Sequence, residues 1–236
     1  MAEADGKLHL IQLAGGQGSR ARGTSGVPKQ FRQTARGLLF AVSLQEFFKL
    51  EPAGLVVVVP DAWRDATAAV LDALGMVYAL APPGDSRTAS TWQAVQALAE
   101  RFAPAADDLV AVHDAARPFA SADLLQRLCR AAQTTGGAIP GVMVPDTIVE
   151  TGELGTRYLE RPALRAVQTP QVFRWDIFHA SHRAASRQGL DFTDDGGLLA
   201  SQGHHPAVVP GEPGNWKVTT ADDWRQAEII LSEPLI

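Results

Sequence analysis

The sequence is poor in cysteine, lysine and tyrosine, and it has no long apolar run. Its one cysteine, Cys129, excludes an intramolecular disulfide and any cysteine-based zinc cluster among the 236 residues. A reducing, cytoplasmic setting follows as the expectation. No apolar run reaches the roughly 18 residues needed to span a bilayer. Met1–Gly6 is acidic and polar, unlike the apolar stretch of a signal peptide. A net charge of −5 argues against nucleic acid or a membrane surface as partner. Of the 21 Lys and Arg residues, four are lysine (Lys7, Lys29, Lys49 and Lys217) and the other 17 arginine. An acidic chain that binds an anion must gather such cations locally.

What remains is an ordinary globular composition, 46% hydrophobic and 20% charged, which excludes wholesale disorder. The length suits one large domain over residues 1–236. Lys7–Ala14 is a short apolar run that opens into glycines, the pattern of a buried strand entering a loop. Ala53–Pro60 carries four consecutive β-branched valines and reads as a strand covered on both faces. Asp108–His113 and Gly137–Val144 read alike. Helical patterns lie between them, at Ala62–Leu74, Ser86–Phe102 and Ser121–Thr135. In the second of these, Trp92, Val95, Ala99 and Phe102 recur on one face. This alternation predicts an α/β fold with a doubly wound, mainly parallel sheet.

The alternation breaks at 145–168. Short β-prone pieces, Thr147–Glu150 and Arg157–Leu159, flank the turn signal Thr151–Gly155. A structureless stretch of that length is unusual in a compact domain, so we read a β-arm projecting from the sheet. Helices then resume at Trp175–Arg187 and Thr193–Gln202. A strand is expected at His205–Val209 and a last helix from Thr220, with Asp222 and Asp223 in its first turn.

The loop Ala14-Gly15-Gly16-Gln17-Gly18-Ser19-Arg20 follows the first strand. Its glycines let backbone approach a ligand, and successive N–H groups can cradle phosphate oxygens. Gly16-x-Gly18-x-x-Ala21 also fits a loose dinucleotide fingerprint. However, Gly23, Gly26 and Pro28 break the helix that fingerprint requires, and its acidic partner is missing. An NAD(P)-dependent oxidoreductase is therefore disfavoured. Arg20 in the loop and Lys29 closing it outline a polyphosphate clamp. His113-Asp114-Ala115-Ala116-Arg117-Pro118 ends a strand, where a carboxylate can hold Mg²⁺ between nucleotide phosphates. His179 and His182 read as surface or packing histidines, His204-His205 as a solvated loop and Cys129 as core. The tryptophans at 63, 92, 175 and 224 read as helix-face residues.

Taken with Pro28-Lys29, the glycine loop resembles the signature of nucleotidyltransferases. The hexapeptide at 113–118 narrows this: the chain resembles the 2-C-methyl-D-erythritol 4-phosphate cytidylyltransferase family. Gly84-Asp85-x-Arg87-x-x-Ser90, Pro145-Asp146-Thr147, Glu160-Arg161, Gln168-Thr169-Pro170-Gln171 and Asn215-Trp216-Lys217-Val218-Thr219 follow in family order, so the resemblance covers roughly 8–231. It departs from the usual pattern at Ala14-Gly15-Gly16, at Trp216, and at Gly196-Gly197, where helix formers are expected.

The resemblance implies a Rossmann-like fold and transfer of CMP from CTP to 2-C-methyl-D-erythritol 4-phosphate, giving CDP-methylerythritol and pyrophosphate on the way to isoprenoid precursors. It implies that Arg20, Lys29 and Lys217 are catalytic and that Asp114 positions Mg²⁺ or another hard divalent cation. Ala14, Gly15, Gly16, Gly18, Gly84, Asp85 and Ser90 would bind the nucleotide. Arg117 and Thr169 would face the acceptor. In the family the arm crosses to the other subunit of a homodimer, so Thr147 and Arg161 would bind the acceptor phosphate from the partner. A cytidylyltransferase for ribitol 5-phosphate or another sugar phosphate is the alternative. A nucleotide-sensing module without turnover is a further one, disfavoured by the retention of Arg20, Lys29, Asp114 and Lys217.

Overall fold

The computed structural model describes residues 6–16, 26–153 and 155–233. β1 (Leu8–Leu13) is followed by a small hairpin, β2 (Gln33–Thr34) and β3 (Gly37–Leu38), and by α1 (Leu39–Phe47). Strand and helix then alternate: β4 (Gly54–Val58), α2 (Arg64–Ala73), β5 (Tyr78–Ala81), α3 (Arg87–Phe102), β6 (Leu109–Asp114), α4 (Ala122–Thr135) and β7 (Gly137–Met143). The second half carries β8 (Val149–Gly152), β9 (Gly155–Tyr158), β10 (Arg165–Val167) and β11 (Gln171–Arg174). It ends with α5 (Trp175–Gln188), α6 (Asp195–Ser201), β12 (Ala207–Pro210) and α7 (Ala221–Ser232).

The main sheet runs β5-β4-β1-β6-β11-β7, with β10 and β12 also paired to β7. β1 is parallel to β4 and β6, β4 to β5, and β12 to β7. Only β10 and β11 run antiparallel to their neighbours in this sheet. The α/β, mainly parallel, doubly wound fold expected from the alternation is the one adopted.

Period-two alternation between two covered faces explains why β4 is apolar throughout. In β4, Leu55 and Val57 face one core with Phe40, Leu44, Leu124 and Leu128. Val56 and Val58 face the other, with Val95, Leu98 and Phe178. The chain leaves β1 toward β4 and β5, then returns to lay β6 on the other side of β1. The loops beyond β1 and β6 therefore diverge and leave a crevice at their carboxyl ends. Leu13 and Asp114 are register partners at that rim.

Helix starts follow local capping chemistry. Ser86 accepts a bond from the Ala89 N–H at the start of α3, and Ser121 from Leu124 at α4. Thr220 and Asp223 form a reciprocal capping box at α7. The buried stripe of α3 is Thr88, Thr91, Val95 and Leu98. Trp92, Ala99 and Phe102 are only half-buried, at the margin of that stripe, and Trp92 lies 5.9 Å from His179 of α5. Strand boundaries also move: β8 begins two residues beyond the expected Thr147, and β12 begins at Ala207 rather than His205.

Gly196 and Gly197, unusual inside a helix, have steric reasons. A Cβ on Gly196 would lie 2.9 Å from Ile139 of β7, and one on Gly197 would lie 2.8 Å from the capping oxygen of Asp194. Gln171, fully buried on β11, fastens this helix start. Its amide donates to Asp194 Oδ2 at 2.8 Å and its carbonyl accepts from the Gly196 N–H at 3.0 Å. Replacing it by leucine strands both partners. Gln171→Leu is expected to cost about 1–3 kcal/mol of folding stability, read as a lowered denaturation midpoint. An unchanged midpoint would contradict this account of the β11–α6 junction.

Candidate active site

The loops beyond β1, β5 and β6 enclose a cavity of about 750 Å³, within the range of small-molecule sites. The β1 loop contributes Gly15 and Gly16, and the β6 loop contributes Asp114, Ala115 and Ala116. Lys29, Lys217 and Thr219 complete one wall. Gly15 must be glycine here: a Cβ would sit 2.7 Å from Pro83 of the β5 loop. Gln30 staples the loop, donating to the carbonyls of Ala14 at 2.8 Å and Gly16 at 2.6 Å. Ala14 itself is buried beneath the loop, its N–H spent on Val58. Gly18 and Arg20 lie outside the described residues.

The opposite wall is the turn from β5 into α3, from Pro83 to Ser90. The Gly84 N–H donates to the Ser90 hydroxyl at 3.0 Å, and a Cβ on Gly84 would meet Ala89 at 2.6 Å. With Ser86 as cap, α3 directs its N-terminus at the cavity. A 16-residue helix presents partial positive charge there and favours an anion.

Asp114 is the electrostatic centre. Lys217 Nζ donates to its Oδ2 at 2.6 Å, and Arg87 Nε lies 3.7 Å from its Oδ1. Burial alone would raise the carboxyl pKa. Arg87, then Lys217 and Arg117, outweigh burial and hold it at about 2. Arg87 is itself bonded to Asp195 at 2.8 Å, and Asp195 accepts a bond from His182 Nε2 at 3.1 Å. Burial opposes the charge on Arg87 and on Asp195, but their partners together outweigh it: Asp195 and Asp114 raise the arginine pKa, and Arg87 with His182 lowers the aspartate pKa.

Beneath Asp114 a hydrogen-bond chain sets its backbone. Burial keeps the His113 imidazole neutral, its pKa pushed down to about 4. Nε2–H therefore donates to the Arg117 carbonyl at 2.9 Å, and Nδ1 accepts from the Thr169 hydroxyl at 3.2 Å. The same hydroxyl accepts the Asp114 N–H at 3.0 Å. Thr169 is thus a buried strut and is not among the cavity-lining residues. Arg117 is partly buried and donates to the Asn215 carbonyl at 2.8 Å. Asn215 in turn bonds the Thr169 carbonyl at 2.8 Å, tying the Lys217 segment to β6. The Lys29 ammonium donates to the Val218 carbonyl. Trp216 packs at 5.0 Å on Phe119, beside the small core of Leu39, Val218 and Trp224.

One chain therefore brings Gly15, Gly16, Lys29, Gly84, Asp85, Ser90, Asp114 and Lys217 around one cavity. Thr147 and Arg161 are exposed and line none of it. They flank the hairpin of β8 and β9, which pairs with no strand of the main sheet and whose strand residues are all exposed. Arg161 donates to the Pro145 carbonyl at 2.9 Å.

The sequence pattern sets Arg87 only within the Gly84–Ser90 motif, reads His182 as a surface or packing histidine, and gives Asp195 no role. The available signal for them was the tripeptide Thr193-Asp194-Asp195 ahead of a glycine pair. His182 is fully buried and bonded to a carboxylate, while His179 packs on Trp175 at 5.0 Å. Cys129 is partly buried, its thiol pKa pushed up by burial to about 12. Among the described residues no group of three or more His, Cys, Asp or Glu could hold a metal ion.

A sequence profile of 2-C-methyl-D-erythritol 4-phosphate cytidylyltransferase (IspD) matches residues 8–233. A bifunctional enzyme IspD/IspF of Rhodopseudomonas palustris (strain BisB18) is 38% identical over 230 residues, covering 94% of this chain and 55% of that protein. The chain spans about half the length of the curated relatives it matches. The crystal structure of 2-C-methyl-D-erythritol 4-phosphate cytidylyltransferase from Thermus thermophilus is similar with a TM-score of 0.74 and 29% identity, covering 98% of this chain and 100% of that one. The 4-diphosphocytidyl-2C-methyl-D-erythritol synthase structure from Anaerococcus prevotii has a TM-score of 0.82 at 22% identity, covering 98% and 100%, a likeness of fold. On the profile match and the identity together, the chain belongs to the 2-C-methyl-D-erythritol 4-phosphate cytidylyltransferase family.

Proposed function

We propose that this chain transfers CMP from CTP to 2-C-methyl-D-erythritol 4-phosphate, giving CDP-methylerythritol and pyrophosphate. The observation that carries the reading is the cavity itself. A glycine loop, a helix N-terminus, two lysines and one low-pKa carboxylate converge there at the crevice between β1 and β6. Family membership supplies the substrate pair.

In the reaction an acceptor phosphate oxygen bonds the α-phosphorus of CTP while the bond to the β-phosphate oxygen breaks. Pyrophosphate leaves with that electron pair. The nucleophile is a phosphate monoester with a second pKa of about 6, so it is ionised at neutral pH and needs no general base. The barrier is electrostatic, and preorganised cations lower it.

In this reading Lys29, with Arg20, neutralises the triphosphate and the charge that builds at the α-phosphorus. Lys217 leaves Asp114 for the α-phosphate. The Gly15–Gly16 backbone and the Gly84–Ser90 turn, with Asp85, hold the nucleotide and read its base. Asp114 would supply one ligand to Mg²⁺, the phosphates supplying others, a donor set that suits a hard divalent cation. When bound, that cation would neutralise phosphate charge. Arg117 faces the acceptor, and Thr169 sets the β6 rim on which the acceptor rests.

The arm supports a shared site. Tyr158 and Met143 are 73% and 66% exposed, an apolar surface at and beside the hairpin that a second copy would cover. We place Thr147 and Arg161 on the acceptor phosphate of the partner subunit, where an arginine fork suits a phosphate. Among the described residues no helix is long and apolar enough to cross a membrane. The lone cysteine suits a reducing cytoplasm.

Pyrophosphate release with Mg²⁺ tests the substrate pair, with CTP, UTP, ATP and GTP crossed against methylerythritol 4-phosphate, ribitol 5-phosphate and hexose 1-phosphates. Release is expected with CTP and methylerythritol 4-phosphate. Release with ribitol 5-phosphate alone would move the acceptor assignment, and none from folded protein would defeat the enzyme reading. Lys29→Ala should lower turnover by about two to three orders of magnitude. Mixing it with Arg161→Ala chains should regain activity, because one site of the hybrid dimer then holds both intact residues. No regain, with subunit exchange demonstrated, would return the arm to its own subunit.

A further inference from the structure

Arg87 is the first residue of α3, where the helix dipole disfavours a cation. Its side chain is only 22% exposed. A guanidinium in that place needs carboxylates, and the structure offers two. Nη2 bonds Asp195 Oδ2 at 2.8 Å, whereas Nε stands 3.7 Å from Asp114 Oδ1, beyond hydrogen-bond reach. Nη1 is buried without a hydrogen-bond partner among the described residues. The guanidinium is thus committed to one aspartate, merely near the other, and has a donor to spare.

Asp195 is built to win this competition. It is 1% exposed, does not line the cavity, and holds His182 Nε2 on its other oxygen at 3.1 Å. The start of α6 that carries it is fastened to β11 through Asp194 and Gln171. Lys217, the other cation on Asp114, is 44% exposed and can swing away at little cost. Arg87 also lines the cavity but is tethered to Asp195 of α6.

We propose that Asp195 is a positioning residue that holds Arg87 away from Asp114 and so leaves that carboxylate open to the divalent cation arriving with CTP. This rests on the reading of Asp114 as a cation ligand. Without the Asp195 charge, Arg87 closes on Asp114 and competes with the cation for its oxygens. His182 keeps the Asp195 carboxylate turned toward Arg87.

The test is the gain in CTP affinity caused by Mn²⁺, measured by titration calorimetry without acceptor so that no turnover occurs. Folding of each variant is checked by thermal melting. Asp195→Asn is expected to shrink the gain by roughly 10–100-fold, the usual effect of losing a residue behind a metal ligand. The double variant Arg87→Met/Asp195→Asn is expected to show the same gain as Arg87→Met, since with the guanidinium gone Asp195 has nothing left to hold back. A wild-type gain in folded Asp195→Asn overturns the proposal. So does a smaller gain in the double variant than in Arg87→Met, a comparison that stands even where Asp195→Asn alone does not fold. A full gain in Asp114→Asn would instead defeat the reading of Asp114 as a ligand, and the proposal with it.

Discussion

The carboxylate of Asp114 is the charge around which the cavity is arranged. A single anion at the end of a buried strand would be costly. Lys217 and Arg87 make it tolerable, and Asp114 in turn makes a cluster of cations tolerable before any phosphate arrives. Under the proposed function, an incoming triphosphate would take over as counter-ion and release Lys217 toward the substrate. The Lys217 side chain of that pair is 44% exposed, in contrast to the Arg87–Asp195 pair behind it, which is largely buried and anchored on α6.

The frame explains why these groups meet. β1 and β6 are register neighbours, and the connections beyond them run to opposite sides. The glycine loop and the Lys217 segment come from residues more than a hundred positions apart, yet both open with the α3 N-terminus on one crevice. The supports are polar and specific: Gln30 under the loop, Ser86 and Ser90 at the turn, and the Thr169–His113 chain beneath Asp114. A site that acts by placing charge needs such supports more than it needs a nucleophile.

Much of this was legible in the residues. The β-branched runs declared the parallel strands, and the glycine loop, Lys29, Asp114 and Lys217 marked one wall of the site. Other features had no periodic signal. α1 is apolar nearly all round, with Leu39 to Leu44 and Phe47 buried, so no polar face betrays it. β11 is only four residues long and antiparallel within a parallel pattern. Gly196 and Gly197 argue against a helix by propensity, but close packing on Ile139 and the Asp194 cap overrides that. The His182–Asp195–Arg87 chain joins three helices, and a spacing rule along one chain cannot reveal such a junction. Thr169 carries a family motif yet is buried as a strut, so a motif marks a position more securely than it marks a contact.

The most direct test of the account is hydrogen exchange of the protein with and without CTP and Mg²⁺. Binding at the crevice should slow exchange of the amides at Gly15 and Gly16, from Gly84 to Ser90, and at Ala115 and Ala116. The strands of the β8–β9 hairpin should be unchanged by nucleotide alone. Protection absent from these loops and appearing elsewhere on the molecule would contradict the placement of the nucleotide site.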